Sequence, residues 1–228
     1  GGWSFGSNAA DVGSNFTLSN GSVTAPSSTL QVAGNWSNSA TFSANGGTVK
    51  FNGASAQTIS GSASTSFSGL TIANASGVSL SSVDESVGGT LTLSSGRLAI
   101  NGYNLVLGSS SPAIAGSLSV SNMIVATGAG HLQKTFTASG AYLFPVGDGG
   151  PDYTPVTLNF TAGTFGSGAY AGVNVKNIKH PSNANTTDYL NRYWNVVTWA
   201  ITSPVYSGDA TYPTRYVSGA EANLAAGV

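Results

Sequence analysis

Val49-Lys-Phe-Asn-Gly-Ala, Leu70-Thr-Ile-Ala-Asn-Ala and Leu91-Thr-Leu-Ser-Ser-Gly are three versions of one short pattern, and their first residues lie 21 positions apart. In each version two apolar residues flank one polar residue, and small or turn-forming residues follow. A period of two is typical of a β-strand with one buried face, and the trailing Gly, Asn and Ser supply a turn. This stretch therefore predicts short strands joined by tight turns.

The pattern continues on both sides of this stretch at separations of 13 to 19 residues, with triplets that begin at Phe16, Leu30, Leu105 and Leu118. Further short strands are expected at Ala40-Thr-Phe, Val78-Ser-Leu and Leu98-Ala-Ile. Such short strands bury an apolar face only when successive turns of chain stack on one another. We therefore expect an all-β chain with a β-solenoid-like repeat region over residues 1–129. A β-sandwich made of hairpins is the alternative, since it fits closely spaced turns equally well.

The composition changes near Gly128-Ala-Gly. Five charged residues precede residue 130 and ten follow it. The strand candidates of this second region are longer and aromatic: Ala141-Tyr-Leu-Phe-Pro-Val, Pro155-Val-Thr-Leu-Asn-Phe, Tyr170-Ala-Gly-Val-Asn-Val and Arg192-Tyr-Trp-Asn-Val-Val-Thr-Trp. Prolines and glycine-rich loops between them favour an antiparallel β-sandwich-like domain over residues 130–228, which we expect to continue in a longer parent chain.

Composition excludes several classes of function. Charged residues make up 7% of the 228 residues and the formal net charge is −1, so the chain offers no strong field for nucleic acid or an anionic membrane. The absence of cysteine removes disulfides, thiolate zinc sites and cysteine nucleophiles. No apolar stretch approaches the roughly 20 residues that span a bilayer, so membrane insertion is not expected.

The chain resembles the repetitive secreted cell-surface proteins of Bacteroidota, which are adhesin-like and exported by the type IX system. The stretches that carry the resemblance are Val32-Ala-Gly-Asn-Trp-Ser-Asn-Ser-Ala-Thr-Phe, Gly47-Thr-Val-Lys-Phe-Asn-Gly-Ala-Ser-Ala-Gln-Thr-Ile-Ser-Gly, Phe67-Ser-Gly-Leu-Thr-Ile-Ala-Asn, Gly89-Thr-Leu-Thr-Leu-Ser-Ser-Gly-Arg-Leu, Tyr142-Leu-Phe-Pro-Val-Gly-Asp-Gly and Asn191-Arg-Tyr-Trp-Asn-Val. Their order along the chain is more specific than any single stretch.

The resemblance implies an extracellular structural or adhesive module at the cell surface, with assembly into fibres as one option. Its implied partners are further copies of itself, other surface proteins or glycans. It transfers no catalytic residues, and we expect no enzyme activity and no cofactor beyond the calcium ion considered below.

Aromatic residues of the second region are the candidate ligand-binding residues. Trp194, Trp199 and Tyr193 lie on one predicted strand, whose alternation puts Tyr193 on the opposite face from Trp194. Exposed aromatic rings can stack on sugar rings, so a carbohydrate-binding module is the alternative function. Core packing is the competing interpretation of the same residues.

A candidate calcium site lies in Gly147-Asp-Gly-Gly-Pro-Asp-Tyr, where Asp148 and Asp152 are four positions apart in a glycine-rich loop. Calcium accepts irregular shells of carboxylate and carbonyl oxygens. A hairpin turn in which Asp and Gly satisfy the turn geometry explains the same residues, and we favour it.

The remaining ionisable residues favour structural roles. His131 is expected at the boundary of a strand, since no acid follows it at a spacing that would orient it for catalysis. His180 is expected in an exposed polar loop closed by Pro181. Asp84-Glu85 is expected to be a solvated loop tip, and Arg192 to pair with Asp188 across one turn. A polysaccharide-degrading solenoid would need clustered carboxylates, and the first region has only Asp84, Glu85 and Asp11.

Overall fold

The computed structural model of the chain describes residues 1–150, 152–187 and 189–211. These residues form an all-β structure without a helix, a β-solenoid of about seven turns that ends in a mixed sheet. We call each turn of the solenoid a rung. Each of the first five rungs contributes its first strand to a stack named face 1, its second to face 2 and its third to face 3; the sixth and seventh rungs contribute strands to faces 1 and 3 but none to the face 2 ladder.

The first four rungs contain β1 (Gly2–Ser4), β2 (Ala10–Val12) and β3 (Phe16–Leu18); β4 (Ser22–Thr24), β5 (Thr29–Val32) and β6 (Trp36–Asn38); β7 (Thr41–Ser43), β8 (Thr48–Phe51) and β9 (Gln57–Ser60); and β10 (Ser66–Phe67), β11 (Gly69–Ala73) and β12 (Val78–Leu80). The later rungs contain β13 (Glu85–Val87), β14 (Leu91–Ser95) and β15 (Leu98–Ala99); β16 (Leu105–Leu107) and β17 (Ile124–Val125); and β18 (Leu132–Thr135), β19 (Gly140–Phe144) and β20 (Val146–Gly147). A hairpin of two long strands follows, β21 (Val156–Lys176) and β22 (Tyr193–Ala210).

Parallel pairing stacks the rungs in register. On face 2, Val49 lies opposite Leu70, and Leu70 opposite Leu91, so the 21-residue spacing is the length of one rung. Their side chains point inward and are buried, as is the case for Leu30 in the preceding rung. Each buried Val or Leu contributes on the order of 1.5–3 kcal/mol of apolar burial. The outward column between them, which includes Lys50 and Thr71, is polar or small.

The repeated triplet occurs on all three faces rather than on one. The triplets at Leu30, Val49, Leu70 and Leu91 belong to face 2, the one at Phe16 to face 3 and the one at Leu105 to face 1. The 14-residue separations from Phe16 to Leu30 and from Leu91 to Leu105 are thus distances between different faces. The 19 residues from Leu30 to Val49 are the length of a slightly shorter rung. The solenoid, and not the hairpin sandwich, is therefore the arrangement of the repeat region.

One expected strand does not form. Residues 118–120 lie in a tight turn, in which Ser119 and Asn122 exchange backbone hydrogen bonds of 3.1 and 3.0 Å. The place on face 2 is taken instead by Ala115, whose N–H donates to Leu91 O at 2.9 Å. The triplet at Leu118 was thus wrongly assigned to the repeat, because the sixth rung reaches its ladder position earlier.

An aromatic cluster fills the core of the first rungs. Trp36 is fully buried and stacks on Phe16, with ring centroids 4.1 Å apart and planes inclined by 12°. Phe42 and Phe67 meet the same indole at 4.8 and 5.6 Å. Trp3 points inward from face 1 of the first rung, opposite Val23, but no further rung lies over it in the described part of the chain and it is 73% exposed.

Corners bring backbone segments into close contact. At Gly96 the φ angle is +90°, and a Cβ atom would lie 1.8 Å from the carbonyl oxygen of Asn74. The adjacent corner is tied by side-chain amides: Asn74 Nδ2 donates to Gln57 Oε1 at 2.9 Å. Glycine and buried amides therefore replace apolar residues where one face turns into the next.

The antiparallel strands of the second region end the solenoid. Strand β18 still pairs parallel to β16, and β20 to β17, whereas β21 runs antiparallel to β18, β19 and β22. The expected strands at Pro155 and Tyr170 are two parts of the single strand β21. Sheets and one hydrophobic cluster cross residue 130, and the division into two domains at this point stays a prediction.

Face 1 is interrupted. Strand β7 pairs with β4, and β10 pairs with β13, but no ladder joins β7 to β10. The loop of residues 61–65 lies between them, and Ala63 N donates to Asn38 O at 3.0 Å, so the loop reaches back to the second rung.

Candidate functional site: the terminal hairpin

Trp199 is the most exposed aromatic residue of the terminal hairpin. It is 64% exposed, on β22, and lies directly opposite Tyr170 of β21. Residues directly opposite in an antiparallel pair point to the same face with Cβ atoms about 5 Å apart. Tyr170 in turn lies opposite Thr135 of β18, so this pair sits on the outer surface of the sheet that continues face 1.

The other two candidate residues do not join Trp199. Trp194 lies on the opposite face of β22, is half-buried against the core, and donates from its indole nitrogen to Thr154 O at 2.9 Å. Tyr193 shares the face of Trp199 but is six residues away, about 20 Å along an extended strand. It instead contacts His180 edge-on, at 4.8 Å between ring centroids. Tyr170, which sequence reasoning missed, is the aromatic neighbour of Trp199, and only the strand register identifies it.

Asp148 and Asp152 lie close together, as a shared calcium site requires, but the cation between them is the guanidinium of Arg192. The Arg192 guanidinium is 1% exposed and lies 2.5 Å from Asp148 Oδ2 and 3.3 Å from Asp152 Oδ2. Arg192 Nη1 also donates to Thr154 Oγ1 at 3.0 Å. Arg192 directly precedes β22, so this ion cluster fastens the start of the last strand to the loop after β20.

The remaining acceptor positions of Asp148 are used as well. Its Oδ1 accepts the N–H of Gly150 at 3.0 Å and that of Asp152 at 3.3 Å, and its Oδ2 accepts from Asn177 Nδ2 at 2.8 Å. The two N–H contacts are the expected turn geometry. The cation between the carboxylates is a guanidinium, and a calcium ion would have to displace it. The described residues contain no group of three or more His, Cys, Asp or Glu side chains suited to a metal ion.

The expected partner of Arg192, Asp188, lies outside the described residues. The ion pairs of Arg192 with Asp148 and Asp152 bridge 44 and 40 residues of sequence. No local pattern indicates a pairing at such a separation, although an arginine at the start of an apolar strand was a signal that it needs a buried acid.

Both histidines occupy the structural settings expected for them. His131 directly precedes β18, and its Nε2 lies 3.2 Å from Asn195 Nδ2. Partial burial, together with the nearby charge of Lys176, lowers the pKa of His131. His180 is exposed in the loop between β21 and β22, where its Nδ1 accepts the N–H of Ser182 at 3.2 Å.

The carboxylates of the repeat region do not cluster. Asp11 is on the first rung and Asp84 just before the fifth, about 19 Å apart at 4.8 Å per rung. Asp84 is exposed and accepts hydrogen bonds from Asn104, as a loop tip should. The expectation that Glu85 lies at a solvated loop tip is wrong. Glu85 begins β13, points inward and is 1% exposed. Strand alternation turns these adjacent acids to opposite sides, which excludes a carboxylate pair.

A shallow groove of about 510 Å³ runs along face 3 over several rungs. Its floor consists of small side chains, including Ser79, Ala99 and Val125. Arg97 closes one wall, with Nε donating to Val120 O at 2.7 Å and Nη1 to Gly149 O at 2.9 Å. Its guanidinium therefore bridges two loops across the groove.

Comparison with protein-family models, curated proteins and solved structures gave no match. In the described part of the chain no helix is long and apolar enough to cross a membrane.

Proposed function

We propose that the chain is a structural and adhesive module of a large secreted bacterial cell-surface protein. The observation that carries this proposal is the stack of about seven rungs, which parallel pairing on face 3 joins without a break from β3 to β20. At 4.8 Å per rung such a stack forms a rod about 30 Å long. A rod of this kind holds its terminal hairpin at a fixed distance from whatever precedes the first rung.

The surface chemistry supports the same proposal. Outward positions on face 2 are mostly uncharged and small or hydrogen-bonding, as at Gln31, Thr71 and Thr92. Such a surface holds no strong field and is compatible with close packing against neighbouring modules in a crowded surface layer. Lateral assembly into fibres follows from this proposal as an option.

The test is antibody labelling of the bacterium that encodes the chain. The proposal expects labelling on intact cells, and beads coated with the folded protein should adhere to cells or surfaces more than beads coated with albumin. Labelling only after the cells are made permeable would overturn the surface location. Equal adhesion of both bead types would overturn the adhesive part.

A second candidate function is carbohydrate binding, and the exposure of Trp199 favours it. An indole that is 64% exposed beside Tyr170, with neutral side chains around it, is suited to stack on an uncharged sugar ring. Exposed large apolar side chains on a folded sheet commonly mark a contact surface.

A glycan array followed by titration calorimetry tests this candidate. Trp199→Ala should weaken binding of any glycan found by about tenfold or more, which is about 1.4 kcal/mol. Trp3→Ala is the matched control, since Trp3 is equally exposed but lies at the other end of the rod. No glycan bound, or equal affinity of the Trp199→Ala variant, would remove the candidate.

A further inference from the structure

An isolated carboxylic acid lies inside the solenoid. Glu85 is 1% exposed, its Oε2 accepts the backbone N–H of Thr65, and its Oε1 is buried without a hydrogen-bond partner among the described residues. A buried carboxylate with an unsatisfied oxygen is costly, whereas the neutral acid carries no charge to desolvate. The interior at this place therefore favours the protonated form.

Glu85 belongs to a polar network that links three levels of the solenoid. Thr65 Oγ1 accepts from Trp36 Nε1 at 3.1 Å and from Asn38 Nδ2 at 3.3 Å. Trp36 and Asn38 are on the second rung, Thr65 precedes the fourth, and Glu85 begins the fifth. The network thus fixes the loop of residues 61–65 from both sides.

This network lies where face 1 is interrupted. Because no ladder joins β7 to β10, β10 is paired on one side only, with β13, whereas β13 and β16 are paired on both sides. Segments with few backbone pairings open at a lower free energy than the rest of a protein. The hydrogen bond from the Thr65 N–H to Glu85 is one of the contacts that hold this segment, beside those from Ala63 N to Asn38 O and from Ser86 N to Thr65 O.

We propose that Glu85 is a proton-operated latch for the segment of residues 61–67. With the acid neutral, the segment stays closed over the core. When the proton is lost, the bare carboxylate is better solvated with the segment open, and opening becomes easier.

The protonation behaviour of the group agrees with this geometry. Burial raises the pKa of Glu85 to about 8, against the lowering effect of the Thr65 hydrogen bonds. Asp84 is the charged neighbour, and it raises the pKa further. Thr65, which donates to Glu85, and Leu105, which lies opposite Glu85 on β16, are uncharged. The latch therefore loosens between the ordinary pKa of glutamate and about pH 8, and changes no further above that.

Hydrogen exchange of the full chain, measured by mass spectrometry from about pH 5 to about pH 9 and corrected for intrinsic exchange, tests the latch. Protection of residues 61–67 should fall by up to about tenfold per pH unit and level off near pH 8. Residues 69–73 of face 2, which pair with β8 on one side and β14 on the other, should respond less.

Two variants and one direct measurement decide the outcome. Glu85→Gln should abolish the pH-dependent loss of protection, and Asp84→Asn, which changes the exposed neighbouring acid, should retain it. A loss that persists in Glu85→Gln, or no loss in the unmodified chain, overturns the proposal. If Glu85→Gln fails to fold, carbon-13 NMR titration of the Glu85 carboxyl replaces it, and a midpoint near the ordinary glutamate pKa overturns the proposal.

Discussion

Single residues in this solenoid differ sharply in how much they stabilise it, even when they are of the same type and both point inward. Trp36 and Trp3 both point toward the axis, but Trp36 has rungs on both sides and Trp3 has a rung on one side only. The stacked and edge-on aromatic contacts of Trp36 involve four phenylalanines, including Phe51 at 6.2 Å. Burial, and not residue type, therefore sets the expected cost of substitution.

We expect Trp36→Ala to lower the free energy of unfolding by about 3–5 kcal/mol, because it leaves a large cavity and removes the Thr65 hydrogen bond. Trp3→Ala should change it by no more than about 0.5 kcal/mol, since most of that indole is already in water. Denaturant unfolding followed by circular dichroism measures both. A similar loss in the two variants would contradict the assignment of the core.

The buried acid gives stability a definite dependence on pH. The folded pKa of Glu85 is about 8 and lies above its value in the unfolded chain, so the folded state binds the extra proton between the two. Its contribution is complete below the unfolded pKa and declines by about 1.4 kcal/mol per pH unit at most as pH rises toward 8. Unfolding of the Glu85→Gln variant should show a flatter pH profile over this interval. An equally steep profile would assign the dependence to other groups.

At the scale of elements, the ion cluster around Arg192 attaches the start of β22 to the loop after β20. In the described part of the chain β22 pairs with β21, and Arg192, just before β22, is bound to Asp148 and Asp152. Removing a buried cation from between two buried carboxylates destabilises a protein, because the carboxylates are then left unpaired in a dry environment. The cluster thus acts as the fastening of the terminal hairpin.

Arg192→Met should lower the free energy of unfolding by about 3–5 kcal/mol and increase proteolysis within β22. Lys50→Met, which removes an outward cation from face 2, is the matched control and should be close to neutral. Chemical denaturation and limited proteolysis measure the two effects. Near-equal stability of both variants would show that the cluster does not hold the hairpin.

Adding calcium distinguishes between two interpretations of Asp148 and Asp152, the ion cluster with Arg192 and the calcium site expected from the sequence. With Arg192 between the carboxylates, the thermal midpoint of the unmodified chain should be the same in millimolar calcium as in chelator, because Asp148 and Asp152 are already paired with a cation. Differential scanning calorimetry measures this. A midpoint that rises with calcium concentration would favour the metal site over the ion cluster.

The sequence predicts where the strands lie better than it predicts which residues from distant parts of the chain lie beside them. The triplets at Val49, Leu70 and Leu91 are recognisable because their inward residues repeat at the length of one rung. The face to which each of the other triplets belongs is not recognisable from the sequence, since all three faces bury the same kind of side chain. Tyr170 beside Trp199 and Arg192 beside Asp148 depend on strand register and chain crossing, which short-range patterns do not encode. Glu85 was misread because its polarity outweighed its inward position in the alternation.

At the scale of the whole molecule, stability is built from repeated units that contact mainly their neighbours. Each rung pairs with the rung before and the rung after, and the register between them is parallel throughout the solenoid. In such arrays stability is approximately a sum of unit terms and interface terms. A whole unit can therefore be removed with less damage than part of one.

Deletion of residues 70–90 should yield a folded protein, because Leu91 then takes the place of Leu70 opposite Val49. The rod should shorten by about 5 Å. Deletion of residues 70–79, which removes half a rung, should prevent folding because it rotates the following strands onto the wrong faces. Circular dichroism and small-angle scattering compare the two. Equal disruption by both deletions would contradict the modular description.

The terminal hairpin gives this rod one defined end. Parallel strands advance the chain by a constant step, and the antiparallel turn at β21 stops that advance. The distance between the hairpin and any point on the rod is thus counted in whole rungs. Proteins of this kind that gain or lose whole rungs would change the length of the rod in steps of one rung, while the terminal hairpin stays the same. The number of rungs would therefore set the distance between the hairpin and the other end of the rod.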